Sequence, residues 1–336
     1  MLNFYKFLFL NTMMIGTLIT ISSTSWITAW IGLEINLLSL MPLMKNFKNK
    51  FAPEATIKYF IVQAMASAVL LFSILIFSNS KNLNLDLSYS SSILISSALL
   101  LKMAAAPFHF WFPEVISGVN WEMVYMLMTW QKIAPMVLIS YTSKIPLFLS
   151  IIIILSSMIS GLQGMNQTCL RKIMAYSSIN HVSWMLSALL NSSTTWFLYF
   201  IIYCIINFNI ITIFMSYNIF FIKQLSNLFS FNKKMKFFFM LNFLSLGGLP
   251  PFLGFFPKWL TVNHLTENKF FTLTFMLIIF TLISLYMYLR ITFSSFSLNS
   301  EESLVKIFSL TYYIYMFINF LSLTMLILGT IFMFFY

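Results

Sequence analysis

Charge is scarce in this chain of 336 residues, and that scarcity decides its class. Charged residues make up 8% of the sequence and hydrophobic residues 60%, with a mean hydropathy of +0.89. A soluble protein has about a quarter of its residues charged, most of them on its surface. The composition therefore excludes a water-soluble core and predicts a protein embedded in a membrane.

Cysteine pairs and cofactor motifs are also lacking. Cys169 and Cys204 lie 35 residues apart in apolar sequence, with no CxxC spacing that would indicate a disulfide framework, a zinc site or a cluster site. The sequence contains no GxGxxG motif and no paired axial ligands. We therefore expect no cofactor and no metal in this chain.

An excess of positive charge, +11 at neutral pH, is the one feature that could suggest nucleic acid. However, the Lys and Arg residues sit in short clusters between apolar spans, where membrane topology explains them better. We do not expect this chain to bind nucleic acid.

Apolar runs long enough to cross a bilayer recur along the sequence. A crossing helix needs about 20 mainly apolar residues. Cutting the chain at polar clusters and prolines predicts eleven such spans: 4–21, 25–44, 57–79, 91–108, 121–141, 145–166, 171–190, 195–221, 237–265, 270–293 and 308–335. The connections are too short for a folded soluble domain, so we predict an all-α polytopic membrane protein that works inside the membrane.

The distribution of basic residues predicts the orientation of these spans. If the N-terminus lies on side A, thirteen Lys and Arg residues fall on that side and three on the opposite side. Loops rich in Lys and Arg stay on the negatively energised side of a membrane. We therefore predict that the N-terminus lies on that side and that the C-terminus emerges on the other.

Four charged residues fall inside the predicted spans: Glu34, Lys102, Lys132 and Lys258. Placing a charge at mid-bilayer costs at least about 2.5 kcal/mol, so the presence of each of these residues requires a structural or functional explanation. A low dielectric favours the neutral form of lysine and a nearby carboxylate favours the charged form, so moving the carboxylate away releases a proton. We predict a proton relay through these residues, with Glu34 and Lys102 as a coupled pair. The alternative is a set of structural ion pairs or snorkelling side chains.

Two histidines are weaker candidates for the same relay. His109 follows Lys102 closely, where it could gate a water path or form a hydrogen bond at a helix interface. His181 lies in a polar stripe with several Ser and Asn residues, which could carry water or join helices.

Two segments of the chain resemble one another. Ala106–Pro113 reads APFHFWFP and Pro250–Pro257 reads PPFLGFFP, 144 residues further on. Proline and glycine interrupt helices, so both surrounding spans are predicted to be discontinuous. The segments lie five spans apart, and an odd offset predicts inverted repeats, about 4–141 and 145–293, with an extra C-terminal helix at about 308–335.

Five motifs carry a resemblance to a known family. They are GLEINLLSLMPL around Glu34, KMAAAPFHFWFPEV around Lys102, TWQKIAP around Lys132, RKIMAYSSINH, and LSLGGLPPFLGFFPKW up to Lys258. Because all five motifs occur in this order, the chain resembles the NADH dehydrogenase subunit 2 family of animal mitochondria, in an insect-like form. The resemblance extends over essentially its whole length.

The resemblance implies an antiporter-like membrane-arm subunit of the proton-pumping NADH:ubiquinone oxidoreductase, respiratory complex I. It implies residence in the inner mitochondrial membrane, with the N-terminus in the matrix and the C-terminus in the intermembrane space. Glu34 and Lys102 would form the coupled pair, Lys132 would be the central lysine, and Lys258 would be the lysine of the second broken helix.

The resemblance also implies the partners of the chain. NADH, FMN, iron–sulfur clusters and ubiquinone are expected in partner subunits, and other antiporter-like and small hydrophobic subunits of the membrane arm are the expected neighbours. Clusters of Lys and Arg on the matrix side suit cardiolipin. Two other functions stay open from the residues alone: a free-standing cation/proton antiporter, and a purely structural membrane subunit.

Overall fold

The computed structural model of the protein describes residues 4–45, 49–83, 87–142, 145–229, 233–296 and 319. Apart from an isolated bridge between Cys169 and Phe221, its regular structure in these ranges is α-helical. The chain separates into two compact units, Met1–Ser156 and Ser157–Tyr336, and the boundary lies inside the helix Pro146–Met165.

Each unit is a set of packed helices. The helices up to the boundary are α1 (Phe4–Ile21), α2 (Trp26–Met44), α3 (Ala52–Leu83), α4 (Leu87–Met103), α5 (Trp111–Gly118), α6 (Trp121–Met128), α7 (Trp130–Thr142) and α8 (Pro146–Met165). The remaining helices are α9 (Leu170–Asn191), α10 (Ser193–Tyr217), α11 (Ile222–Phe229), α12 (Lys233–Gly247), α13 (Phe255–Glu267) and α14 (Phe271–Phe296).

Seven helical stretches in the described part of the chain are long and apolar enough to cross a membrane. They are Phe4–Ile21, Trp26–Met44, Ala52–Ser78, Trp121–Thr142, Pro146–Met165, Ser193–Tyr217 and Phe271–Phe293. Two shorter apolar helices, Ser90–Met103 and Phe237–Gly247, are the first parts of the two spans predicted to be broken. The predicted span 308–335 lies outside the described residues, except for its residue 319.

Helix α9 occupies the predicted span 171–190 but is too polar to belong to these seven stretches. Every residue from 173 to 189 is buried, including Ser177, Asn180 and His181. The helix packs against α10, α13 and α14. Its polar residues are therefore surrounded by protein rather than by lipid, which removes the usual restriction on polar side chains in a membrane span.

Both predicted helix interruptions are confirmed, and they share one backbone conformation. Helix α4 is followed by Ala104 with φ 60° and α12 by Gly248 with φ 78°. Each end has the two hydrogen bonds of a Schellman motif: Ala105 N–H to the Leu100 carbonyl and Ala104 N–H to the Leu101 carbonyl, and likewise Leu249 to Leu244 and Gly248 to Ser245.

The helices also restart at equivalent positions. Helix α5 begins at Trp111 and α13 at Phe255, again 144 residues apart. The turn bonds between the half-helices match as well: Phe108 N–H to the Ala105 carbonyl and Phe112 N–H to the His109 carbonyl, and likewise Phe252 to Leu249 and Phe256 to Leu253. The two segments of the weak sequence repeat therefore share their helix ends and these turn bonds, although of the two only the first contains a cis peptide bond, Ala106–Pro107.

A third interruption was not expected from the sequence. The predicted span 121–141 divides at Thr129 into α6 and α7. The Thr129 hydroxyl donates a hydrogen bond to the Tyr125 carbonyl at 2.7 Å, a contact that bends helices. Trp121–Thr142 still forms one membrane-crossing stretch, and the bend within it was not predicted because a lone threonine carries no clear signal of interruption.

Contacts between loops agree with the predicted alternation of the spans. Each joins segments that the charge pattern assigns to the same side within one unit. They are Lys58 with Glu114 and Asn49 with Gly118 in the first unit, and Gln167 with Arg290, Asn191 with Asn268, and Cys169 with Phe221 in the second.

Candidate functional site

In the first unit, Lys102 and Lys132 line the same cavity although they come from different helices. Lys102 is in the last turn of α4, just before the helix interruption, and Lys132 is in the first turn of α7, just after Thr129. The two residues are 7% and 2% exposed. The Lys132 ammonium lies 5.6 Å from the centre of the Phe112 ring, in cation–π contact.

The cavity lining is unusually polar for the interior of a membrane protein. Besides the two lysines, it includes Tyr59 and Gln63 of α3, Asn36 of α2 and Gln131 of α7. It has room for at least one water molecule, and its donors and acceptors could hold one there. Water in this place could connect ionisable groups that do not touch each other.

Glu34 lies near the middle of α2 and is half-buried. Its Oε1 atom is buried and makes no hydrogen bond within the described residues. The carboxylate interacts electrostatically with Lys102 and with the hydroxyl of Tyr59. Among the described ion pairs, none joins Glu34 to Lys102, whose nitrogen lies more than 4.0 Å from its carboxylate oxygens.

The geometry explains why the carboxylate of this pair does not reach its lysine directly. Helix α2 presents Leu33, Asn36 and Leu37 to the cavity. Residues two positions apart on a helix do not share a face, so Glu34 points away from the direction of Asn36. Coupling between Glu34 and Lys102 therefore acts across space rather than through a direct ion pair.

In the second unit, Lys258 occupies the space beside the helix interruption. It lies in the first turn of α13 and is 7% exposed. Its ammonium donates hydrogen bonds to the carbonyls of Gly247 at 2.9 Å and Leu246 at 3.3 Å, the last residues of α12. It also lies 5.8 Å from the ring of Trp184 on α9.

The two interruptions hold lysines in related ways. The C-terminal end of a helix carries partial negative charge and unpaired carbonyls, both of which favour a cation. In the first unit the lysine is part of the last turn, Lys102 in α4; in the second, Lys258 reaches the last turn of α12 from the following half-helix. Gly248 makes room for it, because a Cβ there would lie 2.7 Å from the Lys258 side chain.

The two histidines occupy different settings. His181 is buried on α9, and its Nδ1 lies 2.9 Å from the hydroxyl of Tyr199, with its ring 5.0 Å from that of Tyr203. His109 is 1% exposed and its ring packs 4.3 Å from that of Phe110. His181 therefore joins a buried polar cluster on α9 and α10, whereas His109 does not line the cavity of Lys102 and Lys132.

The cluster around His181 contains further polar groups that the sequence analysis did not single out. The Asn180 amide donates a hydrogen bond to Ser284 at 2.9 Å, and Asn207 is fully buried on α10. The carbonyl oxygens of both amides are buried without a hydrogen-bond partner among the described residues. Buried polar atoms of this kind are commonly satisfied by water.

Each unit thus holds at least one buried lysine among polar groups. Sequence reasoning found the lysines through their depth in the spans. It missed Asn36, Tyr59, Gln63 and Gln131, whose roles depend on which helix faces they occupy. Within the described residues, no group of three or more His, Cys, Asp or Glu side chains could bind a metal ion.

Sequence comparisons identify relatives over most of the chain. The profile of the family described as NADH:quinone oxidoreductase/Mrp antiporter matches residues 23–284. The chain is 52% identical to the NADH-ubiquinone oxidoreductase chain 2 of Anopheles gambiae, over 88% of this chain and 87% of that protein. It is 47% identical to the protein of the same name from Locusta migratoria, over 90% and 88%.

Solved structures show the same fold at lower identity. A chain of respiratory complex I from Thermus thermophilus is similar with a TM-score of 0.86 and 24% identity, over 97% of this chain and 78% of that one. A chain of the Mrp complex from a Dietzia species is similar with a TM-score of 0.75 and 17% identity, over 83% and 58%.

Proposed function

This chain belongs to the NADH-ubiquinone oxidoreductase chain 2 family, and from that premise we propose that its buried lysines relay protons. The family places it in the mitochondrial proton-pumping NADH:ubiquinone oxidoreductase, as an antiporter-like subunit of the membrane arm. The relay would contain Glu34, Lys102 and Lys132 in the first unit and Lys258 in the second, with His181 as a further member. His109 has weaker support, because it lies outside the cavity of the first unit.

One observation carries this proposal: Lys102 and Lys132 face the same polar cavity from two different helices. Two buried ammonium groups that share a cavity repel each other, so protonation of one favours deprotonation of the other. A structural ion pair would instead hold each lysine against a carboxylate. Lys102 is in no such pair among the described ion pairs.

The carboxylate of Glu34 provides a possible control of this pair. It interacts electrostatically with Lys102 across space, so its presence or neutralisation shifts the preference of that lysine for a proton. A charge or a movement arriving at α2 from a neighbouring subunit would thereby be converted into proton transfer in the cavity. The source of that signal would be quinone reduction in partner subunits.

Lys258 is the counterpart in the second unit. Its ammonium is held by backbone carbonyls at the end of α12 rather than by a carboxylate. Such neutral acceptors stabilise the charged form less than an ion pair would, which leaves the lysine able to lose its proton. The polar cluster with His181 on α9 is the neighbouring place where water could deliver or remove one.

The proposal extends to topology and partners. It includes eleven spans, inverted repeats, an N-terminus in the matrix and a C-terminus in the intermembrane space of the inner mitochondrial membrane. The loop contacts within each unit support the alternation of sides. NADH, FMN, iron–sulfur clusters and ubiquinone would bind to partner subunits, and cardiolipin would bind near the basic matrix loops.

Replacing Lys102 by methionine tests the proposal in the assembled complex. The variant should slow proton transfer through this subunit by about a hundredfold, the lower end of the range for loss of one proton-transfer group, because methionine fills the space but carries no proton. The number of protons moved per NADH oxidised should fall accordingly. The measurement compares quenching of a pH-sensitive dye in proteoliposomes with the rate of NADH oxidation.

The control is Lys58→Met, which removes an exposed lysine that pairs with Glu54 and Glu114. It should leave the ratio of protons to electrons unchanged. A Lys102→Met complex that assembles and pumps with the normal ratio would overturn the relay and favour a purely structural role.

A further inference from the structure

A reciprocal pair of amides joins α2 to α7 inside the first unit. The Asn36 side-chain nitrogen donates to the Gln131 side-chain oxygen at 3.0 Å, and the Gln131 nitrogen donates to the Asn36 oxygen at 2.9 Å. Asn36 is 3% exposed, and both residues line the cavity that contains the two lysines. Each amide satisfies one donor and one acceptor of the other, so both bonds form or break together.

Each member of the pair lies close in sequence to a charged group of the proposed relay. Asn36 follows Glu34 by two residues, and Gln131 directly precedes Lys132. Glu34 itself does not line the cavity, and Asn36 is the polar side chain of α2 that does. Any rotation or shift of α2 near Glu34 therefore acts on Gln131 through these bonds.

The segment that receives this contact is weakly held by its own helix. Thr129 interrupts the helix just before it, and Pro135 follows one turn later. Proline has no N–H group, so it cannot donate the usual helical hydrogen bond to the carbonyl of Gln131. The turn that carries Lys132 thus depends on contacts with other helices for its position.

We propose that Asn36 and Gln131 are positioning residues that couple α2, with Glu34, to α7, with Lys132. The pair holds the Lys132 ammonium in the cavity of Lys102, and its opening uncouples the two helices. This inference deepens the proposed relay and rests on it. The residues themselves carry no proton; they act through the lysine that they position.

Two variants of similar size remove the amides singly, Asn36→Leu and Gln131→Met. Each removes both hydrogen bonds, so each should shift the equilibrium toward the uncoupled arrangement by about thirtyfold and lower the number of protons moved per NADH oxidised. The double variant should lose no more than either single one, because the two amides act as a unit. The ratio of protons to electrons is measured in proteoliposomes and does not depend on how much complex assembles.

An exchanged pair, Asn36→Gln with Gln131→Asn, supplies the decisive comparison. It keeps the combined length and both hydrogen bonds, so it should restore most of the ratio. Normal ratios in both single variants would overturn the inference, as would an exchanged pair that assembles but pumps no better than they do.

Lys132→Met, measured in parallel, separates this inference from the proposed function. If Lys132→Met pumps normally, the relay itself fails. If Lys132→Met loses pumping while Asn36→Leu and Gln131→Met keep it, the relay stands and the positioning role is wrong.

Discussion

Replacement of Lys132 by methionine is expected to slow proton transfer through this subunit by about 10²- to 10⁴-fold, and so to lower proton translocation per NADH oxidised. Lys132 is 2% exposed, lines the same cavity as Lys102 and lies against the ring of Phe112. Methionine has a similar length and suits an apolar interior, so the complex should assemble. Dye quenching in proteoliposomes, relative to NADH oxidation, measures the loss.

Lys132→Arg distinguishes a proton carrier from a fixed positive charge. Arginine keeps the charge but does not release its proton in proteins. A relay therefore predicts that Lys132→Arg also loses proton translocation, whereas a role as a structural charge predicts that arginine works and methionine does not. A Lys132→Arg complex with the normal ratio would contradict the account at this residue.

Replacement of Gly254 by alanine is expected to prevent the second helix interruption from forming. A Cβ at this position would lie 1.8 Å from the carbonyl oxygen of Ser245, and backbone cannot move aside as a flexible side chain can. Overpacking costs about 1 to 3 kcal/mol or more, and about 2 kcal/mol changes the ratio of folded to unfolded protein about thirtyfold. The amount of assembled complex, measured by native electrophoresis, should fall severely.

Gly247→Ala is the matched control, seven residues earlier in the same segment. A Cβ there would meet the nearest atom, in the Tyr288 ring, at 3.6 Å, an ordinary contact, and its backbone does not adopt a positive φ. This variant should assemble at the normal level. If Gly254→Ala and Gly247→Ala assemble equally well, the interrupted helix does not require the close approach of Gly254 to the Ser245 carbonyl.

Much of the fold follows from the sequence because length and polarity restrict a helix in a membrane. Runs of about 20 apolar residues predict the spans, and the seven membrane-crossing stretches of the described residues lie where those runs occur. The two interruptions were predictable as well, since Pro107 and Pro251 remove backbone donors within otherwise apolar spans. The coincidence of turn bonds 144 residues apart shows that the weak repeat was meaningful.

The candidate site could be predicted only in part. The depth of Lys102, Lys132 and Lys258 in the spans identified them as candidates. A charge at that depth is costly whichever face of the helix it occupies, so its presence indicates a function. Partners across helices depend on helix rotation, which a uniformly apolar sequence does not encode. For that reason the amide pair of Asn36 and Gln131 was missed, and the sequence did not show whether Glu34 and Lys102 touch.

The most direct test of the relay is to image ordered water in the first-unit cavity of the assembled complex by high-resolution electron cryomicroscopy. The account predicts water within hydrogen-bond distance, about 2.7–3.2 Å, of both the Lys102 and the Lys132 ammonium groups. A cavity closed by apolar side chains, with each ammonium fixed against a carboxylate and no water between them, would contradict it.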